Sequence, residues 1–245
     1  MHEENYVFIA SFEKKNWWYR AKRHLFSLIL KRMNKRFEQS LDLGCGVGSN
    51  FSVLSKWSKN VIGVDYSVQA IEYCKSNPYH KLRQMDATKL KFKDNSFDLI
   101  LCSDVLEHID DAKAIEEITR ILKPEGIFIF SVPAHNYLWG PTDVISKHRK
   151  RYEMHDLKKL LSKDYNIKKL SYWNTLALLP DLIIMKLLKL FGKHREEKNA
   201  LSFIPSILNN ILYSVLYLEN NWFIRFNNPE GVSIVGIAQK NVNKN

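Results

Sequence analysis

Three carboxylates stand at the ends of short apolar runs in the first half of this sequence. Asp42 lies in Leu41-Asp42-Leu43-Gly44-Cys45-Gly46-Val47-Gly48, Asp65 closes Val61-Ile62-Gly63-Val64, and Asp86 lies in Met85-Asp86-Ala87. The glycines of the first segment allow a sharp turn and a close approach of backbone to ligand, with a helix start behind them. A glycine-rich turn also serves dinucleotides, but two features argue against one here. The spacing is GxGxG (Gly44, Gly46, Gly48) rather than GxGxxG. Asp42 would repel a pyrophosphate and would favour an ammonium group. Asp65 follows the turn by about twenty residues, where an acidic side chain can accept both hydroxyls of a ribose. Its alternative is a helix N-cap, a role for which Ser67 is equally placed. Asp86 is positioned to accept from an adenine exocyclic amine, and its alternative is a solvated loop carboxylate.

These residues need strands to carry them. Apolar runs at Ser40–Leu43, Val61–Val64, Phe97–Cys102 and Gly126–Val132 read as strands. A further strand is expected just before Met85. Between them, Asn50–Trp57, Val68–Ser76 and Asp111–Leu122 read as helices, the last capped by Asp110 or Asp111 and ended by turn chemistry at Lys123-Pro124-Glu125-Gly126. Strands alternating with helices imply a mostly parallel sheet. Upstream, Trp17–Phe37 has helical apolar spacing. Downstream, residues 153–164 read as a helix, Ile167–Tyr172 as a strand and Gly231–Lys240 as a final strand.

A fourth segment, Phe97-Asp98-Leu99-Ile100-Leu101-Cys102-Ser103-Asp104-Val105-Leu106-Glu107-His108-Ile109, completes a pattern. Over about residues 38–135 the four segments resemble, in order and spacing, the class I S-adenosylmethionine-dependent methyltransferase superfamily, of the methyltransferase type 11 kind. The resemblance implies an α/β fold, a Rossmann-like seven-stranded methyltransferase sheet of order 3-2-1-4-5-7-6 with its last strand antiparallel. A helical N-terminal cap (1–37), a core (38–173 and 231–240) and a helical insertion or lid (174–225) complete that single domain. The resemblance implies S-adenosyl-L-methionine as cofactor, in-line methyl transfer from its sulfonium, and S-adenosyl-L-homocysteine as product. By the same resemblance Asp42, Gly44, Cys45 and Gly46 face the methionine part, Asp65 and Tyr66 the ribose, and Asp86 and Ala87 the adenine. Ser103 and Leu106 line the pocket floor.

Two further stretches resemble signatures of a bacterial and archaeal subgroup linked to cell-surface glycan and lipid-linked sugar metabolism. They are Asn16-Trp17-Trp18-Tyr19-Arg20-Ala21-Lys22-Arg23, and Val132-Pro133-Ala134-His135 through Trp139 with Asp143, His148, Arg149, Arg151 and Tyr152. Physically, Trp17, Trp18 and Tyr19 offer π faces to a sulfonium, and Arg20 suits the methionine carboxylate. The alternative is aromatic packing of the helix on the sheet. His135, just past the fifth strand, is the first general-base candidate and His148 the second. For His148 the alternative is a loop histidine in a basic run. Arg149 and Arg151 suit a substrate phosphate or carboxylate.

The 245 residues carry 37 Lys+Arg against 26 Asp+Glu, a net charge of +11. Such a surplus favours anionic partners, but nucleic acid is disfavoured. Ser103-Asp104-Val105-Leu106 is not the Asn/Asp-Pro-Pro-aromatic motif of many base-amino methyltransferases. Cys45, Cys74 and Cys102 show no CxxC spacing, which argues against a zinc knuckle or disulfide framework and fits a reducing cytoplasm. No secretory signal is read in Met1–Ala10. Lys186, Lys189 and Lys193 form one helical stripe among apolar residues, which suits peripheral contact with an anionic membrane. Residues 199–218 are uncharged, but Ser202, Pro205, Asn209 and Asn210 interrupt them against a span. The expected function is methyl transfer to a small-molecule acceptor, lipid-linked or glycan-related. The alternatives are an RNA methyltransferase and a non-catalytic S-adenosylmethionine-binding protein.

Overall fold

The computed structural model describes residues 3–75, 79, 81–178, 182 and 204–242. Its strands are β1 (Phe37–Leu43), β2 (Ser58–Asp65), β3 (Lys81–Gln84), β4 (Phe97–Ser103), β5 (Leu122–Pro133), β6 (Tyr165–Trp173) and β7 (Ser233–Lys240). They form one seven-stranded sheet of order β3-β2-β1-β4-β5-β7-β6. Neighbours among β1 to β5 run parallel, whereas β7 is antiparallel to both β5 and β6. The implied strand order and the reversed last strand are both present.

Alternation along the strands divides the core in two. Leu41, Leu43, Ile100, Phe128 and Phe130 face one side, where Ile115 and Ile118 of α5 (Asp111–Ile121) and Leu157 of α7 (Met154–Leu161) cover them. Leu99, Leu101, Ile127, Ile129 and Val235 face the other side, under Leu25, Phe26, Ile29 and Leu30 of α2 (Trp17–Met33). Both layers exclude water, so the central strands β1, β4 and β5 are buried on both faces, as the interior of a parallel sheet requires, while the edge strand β3 is largely exposed.

Local chemistry sets the boundaries, and in places it moves them. α1 (Glu3–Lys15) precedes α2, and the Asn16 side chain caps α2 by accepting from Trp18 N at 2.9 Å. α2 stops at Met33 rather than Phe37, because Asn34 turns left-handed (φ 47°) and Phe37 N already pairs with Trp57 O. The expected helix Asn50–Trp57 is only α3 (Phe51–Leu54), since Ser58 begins β2. α4 (Val68–Cys74) is capped by Ser67, and the expected last residue, Ser76, lies outside the described residues. Asp110, not Asp111, caps α5, while Asp111 accepts from Tyr152 OH at 3.0 Å. Lys123–Gly126 belongs to β5 as a bulge, with Glu125 at φ 61°, rather than standing as a turn before it. α6 (Pro141–Ile145) is a short helix in the segment after β5.

Within the expected insertion, α8 (Ser206–Phe223) packs on α2. Residues 179–181 and 183–203, including the Lys186, Lys189 and Lys193 stripe, lie outside the described residues. Among the described residues no helix is long and apolar enough to cross a membrane.

A buried amide fastens α8 to the body. Asn220 accepts from Trp173 Nε1 at 2.8 Å and donates to Ala21 O at 2.8 Å, joining α8 to β6 and α2. Asn220→Ala is expected to destabilise the chain by about 1–3 kcal/mol, because it strands the buried Trp173 N–H and removes the tie to α2. Urea unfolding followed by tryptophan fluorescence measures this, and an unchanged midpoint and slope would refute it.

Candidate functional site

The carboxyl ends of β1, β4 and β5 meet at a cleft of about 740 Å³. Chain reversals there build its floor. Gly44, Gly46 and Gly48 have φ of 74°, 52° and 80°, a region that side-chain-bearing residues rarely occupy. Gly44 N and Cys45 N donate to Val64 O, at 2.7 and 2.9 Å, so the loop is laid on the end of β2. Asp65 then braces it: Gly46 N donates to Oδ2 at 2.9 Å and Ser67 N to Oδ1 at 2.9 Å. The helix behind this loop is the four-residue α3 and adds little field.

The two glycines differ. A Cβ on Gly44 would sit 2.2 Å from Val105 Cγ2, so this glycine serves internal packing. A Cβ on Gly46 would meet no atom within 4 Å, because it would project into open space. Both glycines line the cleft, Gly44 packed against Val105 and Gly46 open.

Asp42, at the end of β1, is fully buried. Its Oδ2 accepts from Tyr79 OH at 2.6 Å, while Oδ1 is buried without a hydrogen bond of normal geometry. Burial raises its pKa from the ordinary 3.8 to about 6, against the lowering effect of Tyr79 and the nearby Asn50 amide.

The opposite wall comes from the N-terminal helices, with Ile9, Glu13, Trp17, Trp18 and Lys22. Lys22 was not singled out in the sequence, yet it is 3% exposed and paired with Asp104. Its ammonium lies 3.4 Å from the centre of the Trp18 ring. Burial lowers its pKa and Asp104 pulls it back up. That face of Trp18 is thus taken by a lysine of the same helix, not held for a sulfonium.

The third wall holds Ser103, Asp104, Glu107, His108 and His148. Glu107 is buried and its pKa is pushed well up, first by burial and then by Asp104. His148 Nδ1 lies 2.8 Å from Asp143 Oδ1. Burial pushes Asp143 up, but His148 and Arg151 outweigh it and hold the carboxyl below its usual range. Arg151 grips Asp143 through Nε and Nη2 at 2.9 and 3.0 Å, so its fork is spent inside the protein rather than on a substrate anion.

The remaining candidates are dispersed. His135 is buried outside the cleft, stacked between Tyr137 and Tyr172, with Nδ1 3.3 Å from Glu153 and Nε2 2.8 Å from Glu230. The Glu230 approach lacks hydrogen-bond angles, but both ring edges are closed off. Of the two base candidates, the cleft holds His148. Arg20 is turned away toward α8, donating to Asn210 Oδ1 at 2.9 Å and stacking 4.0 Å from the Tyr213 ring centre. Leu106 is a core residue, and Cys45 buries its side chain against Ile71 and Cys74. Asp65, Tyr66, Asp86 and Ala87 stand along the sheet edge beside the cleft, linked by Met85 N donating to Asp65 O at 3.0 Å. Tyr66 is 74% exposed, and Asp86 accepts from Thr88 N and Oγ1 at 2.8 and 2.7 Å.

Residues 41–130 match the methyltransferase domain family. A protein of Mycolicibacterium smegmatis named a probable S-adenosylmethionine-dependent methyltransferase is 28% identical over 127 residues, which is 51% of this chain and 49% of that one. The ubiquinone biosynthesis O-methyltransferase of Bartonella bacilliformis is 32% identical over 152 residues, 58% of this chain and 61% of its own. The chain spans about half the length of the curated relatives it matches. The crystal structure of the N-methyltransferase NodS of Bradyrhizobium japonicum with S-adenosyl-L-homocysteine shares the fold, at TM-score 0.58 and 14% identity, covering 95% of this chain and 97% of that one.

Proposed function

Because the chain belongs to the class I S-adenosylmethionine-dependent methyltransferase superfamily, we propose that it binds S-adenosylmethionine at the Gly44–Gly46 loop. We propose further that it methylates a small-molecule acceptor in the adjoining cleft. The observation that carries this reading is the open backbone at Gly46 on the cleft wall, in a loop braced by Asp65. The buried Asp42 carboxylate at the start of that loop favours an ammonium group nearby, so the residues present fit the cofactor. When bound, S-adenosylmethionine supplies a methyl group on a positively charged sulfur, and its loss leaves S-adenosylhomocysteine.

The protein's own part is binding, orientation and proton handling. Asp65 already accepts one backbone N–H on each oxygen, and a carboxylate has about four acceptor sites, so two remain for ribose hydroxyls. The adenine falls to Asp86 and Ala87 on the same edge. Trp17 and Trp18 line the cleft wall. Holding acceptor and methyl in line accounts for most of the expected acceleration. An acceptor hydroxyl gives up its proton as its oxygen bonds the methyl carbon. His148 is placed to take that proton on Nε2, with Nδ1 held by Asp143.

The acceptor is lipid-linked or glycan-related in this reading. Ile207, Ile211, Leu218 and Trp222 on α8 are exposed, which supports an amphipathic ligand or peripheral contact with an anionic membrane.

The test combines calorimetry with S-adenosylhomocysteine and a transfer assay with methyl-labelled S-adenosylmethionine. The acceptor panel holds small hydroxyl compounds, lipid-linked sugars and RNA. One bound S-adenosylhomocysteine per chain and label on a small acceptor are expected. Absence of binding at millimolar concentration would overturn the cofactor reading, and label on RNA alone would overturn the acceptor class.

A further inference from the structure

The third wall of the cleft contains a cluster of which the methyl-transfer chemistry uses only His148. One donor atom each from Glu107, His108 and His148 lies within 4.8 Å of the others. All three side chains line the cleft. Glu107 is 1% exposed, and its Oε2 is buried without a hydrogen-bond partner. A buried unpaired carboxylate oxygen is costly unless something supplies positive charge. The nearest cation does not supply it: Lys22 is spent on Asp104 and on the Trp18 ring.

The two imidazoles are held as ligands are held. His148 gives Nδ1 to Asp143, which leaves Nε2 for the cleft. The His108 ring lies beside the backbone of Ser146 and Lys147. Arg149 N donates to Glu107 O at 2.7 Å, tying the His148 loop to the Glu107 turn. The rings of His108 and His148 meet edge to face, with centres 4.8 Å apart. A carboxylate or carbonyl behind each imidazole is the usual way metal ligands are oriented.

We infer that Glu107, His108 and His148 bind one divalent first-row transition cation in the wall of the acceptor cleft. Two imidazoles and a single carboxylate suit Mn²⁺, Fe²⁺, Co²⁺ or Zn²⁺, whereas Mg²⁺ and Ca²⁺ prefer oxygen donors throughout. Bonds of about 2.1 Å draw donor atoms to roughly 3–3.5 Å from one another, so the three side chains close inward on binding. The open positions face the cleft. Resting on the methyl-transfer reading, this assigns the acceptor to the hydroxyl class, because a cation there holds an oxygen and lowers its pKa. Nε2 of His148 cannot both hold a cation and take a proton, so the cation replaces the free-base role of His148.

The test uses the untagged full chain, stripped with chelator. Mn²⁺ is titrated by electron paramagnetic resonance of the free ion, and S-adenosylhomocysteine is titrated separately by calorimetry. One Mn²⁺ per chain is expected. Glu107→Gln, nearly isosteric, and His108→Ala are each expected to weaken it about tenfold or more, with unchanged far-UV circular dichroism. Wild type that takes up S-adenosylhomocysteine but no Mn²⁺ or Zn²⁺ at millimolar concentration would overturn the metal site and leave the methyl-transfer reading standing. Mn²⁺ binding that both folded variants retain at full strength would also overturn it. Mn²⁺ binding with the expected variant losses, but no uptake of S-adenosylhomocysteine, would sink the methyl-transfer reading alone.

Discussion

Gly46→Val is expected to yield a folded chain that no longer takes up S-adenosylhomocysteine. Two effects act at this one position. The φ of 52° is disfavoured for a β-branched residue, at about 1–3 kcal/mol, which the sheet can absorb. The larger effect is steric: nothing in the protein lies within 4 Å of the new Cβ, so the side chain projects into the space kept for ligand. An affinity loss on the order of 100-fold, about 2.7 kcal/mol, is expected by calorimetric titration. Gly44→Val is the wrong probe, because its side chain would collide with Val105 at 2.2 Å and confound binding with folding. Normal uptake of S-adenosylhomocysteine by folded Gly46→Val would remove the loop from the cofactor site.

Asp42→Asn is expected to separate stability from binding. Burial raises the Asp42 pKa from 3.8 to about 6 in the folded chain without ligand. A raised folded-state pKa contributes stability that is complete below the unfolded value and is lost as pH rises through the folded value. The wild type therefore loses on the order of 3 kcal/mol from this group between about pH 4 and pH 6, at 1.36 kcal/mol for each pH unit. Asparagine has no such titration and still offers an acceptor to Tyr79. At pH 8 the variant is expected to be the more stable apo protein, with the advantage shrinking toward pH 4. Its affinity for S-adenosylhomocysteine should fall by about 1.5–3 kcal/mol, the worth of a hydrogen bond to a charged group. Denaturant unfolding across that pH range measures the first effect and calorimetry the second. A variant less stable than wild type at pH 8 yet equal to it at pH 4 would reverse the sign and refute the account.

The half of the sheet that carries the glycine loop was legible because its signals are local. Gly44, Gly46, Asp65 and Ser67 act on neighbours within one βαβ unit, and the hydrogen bonds from Gly46 N and Ser67 N to Asp65 realise that proximity. Residues on other elements were harder to assign. Arg20 and His135 have the right types for a site, but side-chain direction decides their use. α8 draws Arg20 away through Asn210 and Tyr213, and Tyr137 with Tyr172 encloses His135. Lys22 and Glu107 passed unnoticed because charged residues in a helix or a turn ordinarily read as solvated. Their functional weight comes from burial, which no local pattern reports.

The sequence alone determined the order of the elements and the loop that turns at three glycines, while the seven-stranded topology with its reversed last strand was implied by the family resemblance. Apolar periodicity and turn chemistry act over a few residues, so they survive being read in one dimension. The tertiary structure decided which face each charged side chain presents. It set His148 beside Glu107, residues far apart in the chain, through the Arg149 N–H on Glu107 O and the Asp143 carboxylate behind the ring. It also placed Lys22 between Asp104 and Trp18. The physical reason is that electrostatic and ligand-binding roles depend on burial and on distances of a few ångströms, which arise only when separate elements close over one cleft.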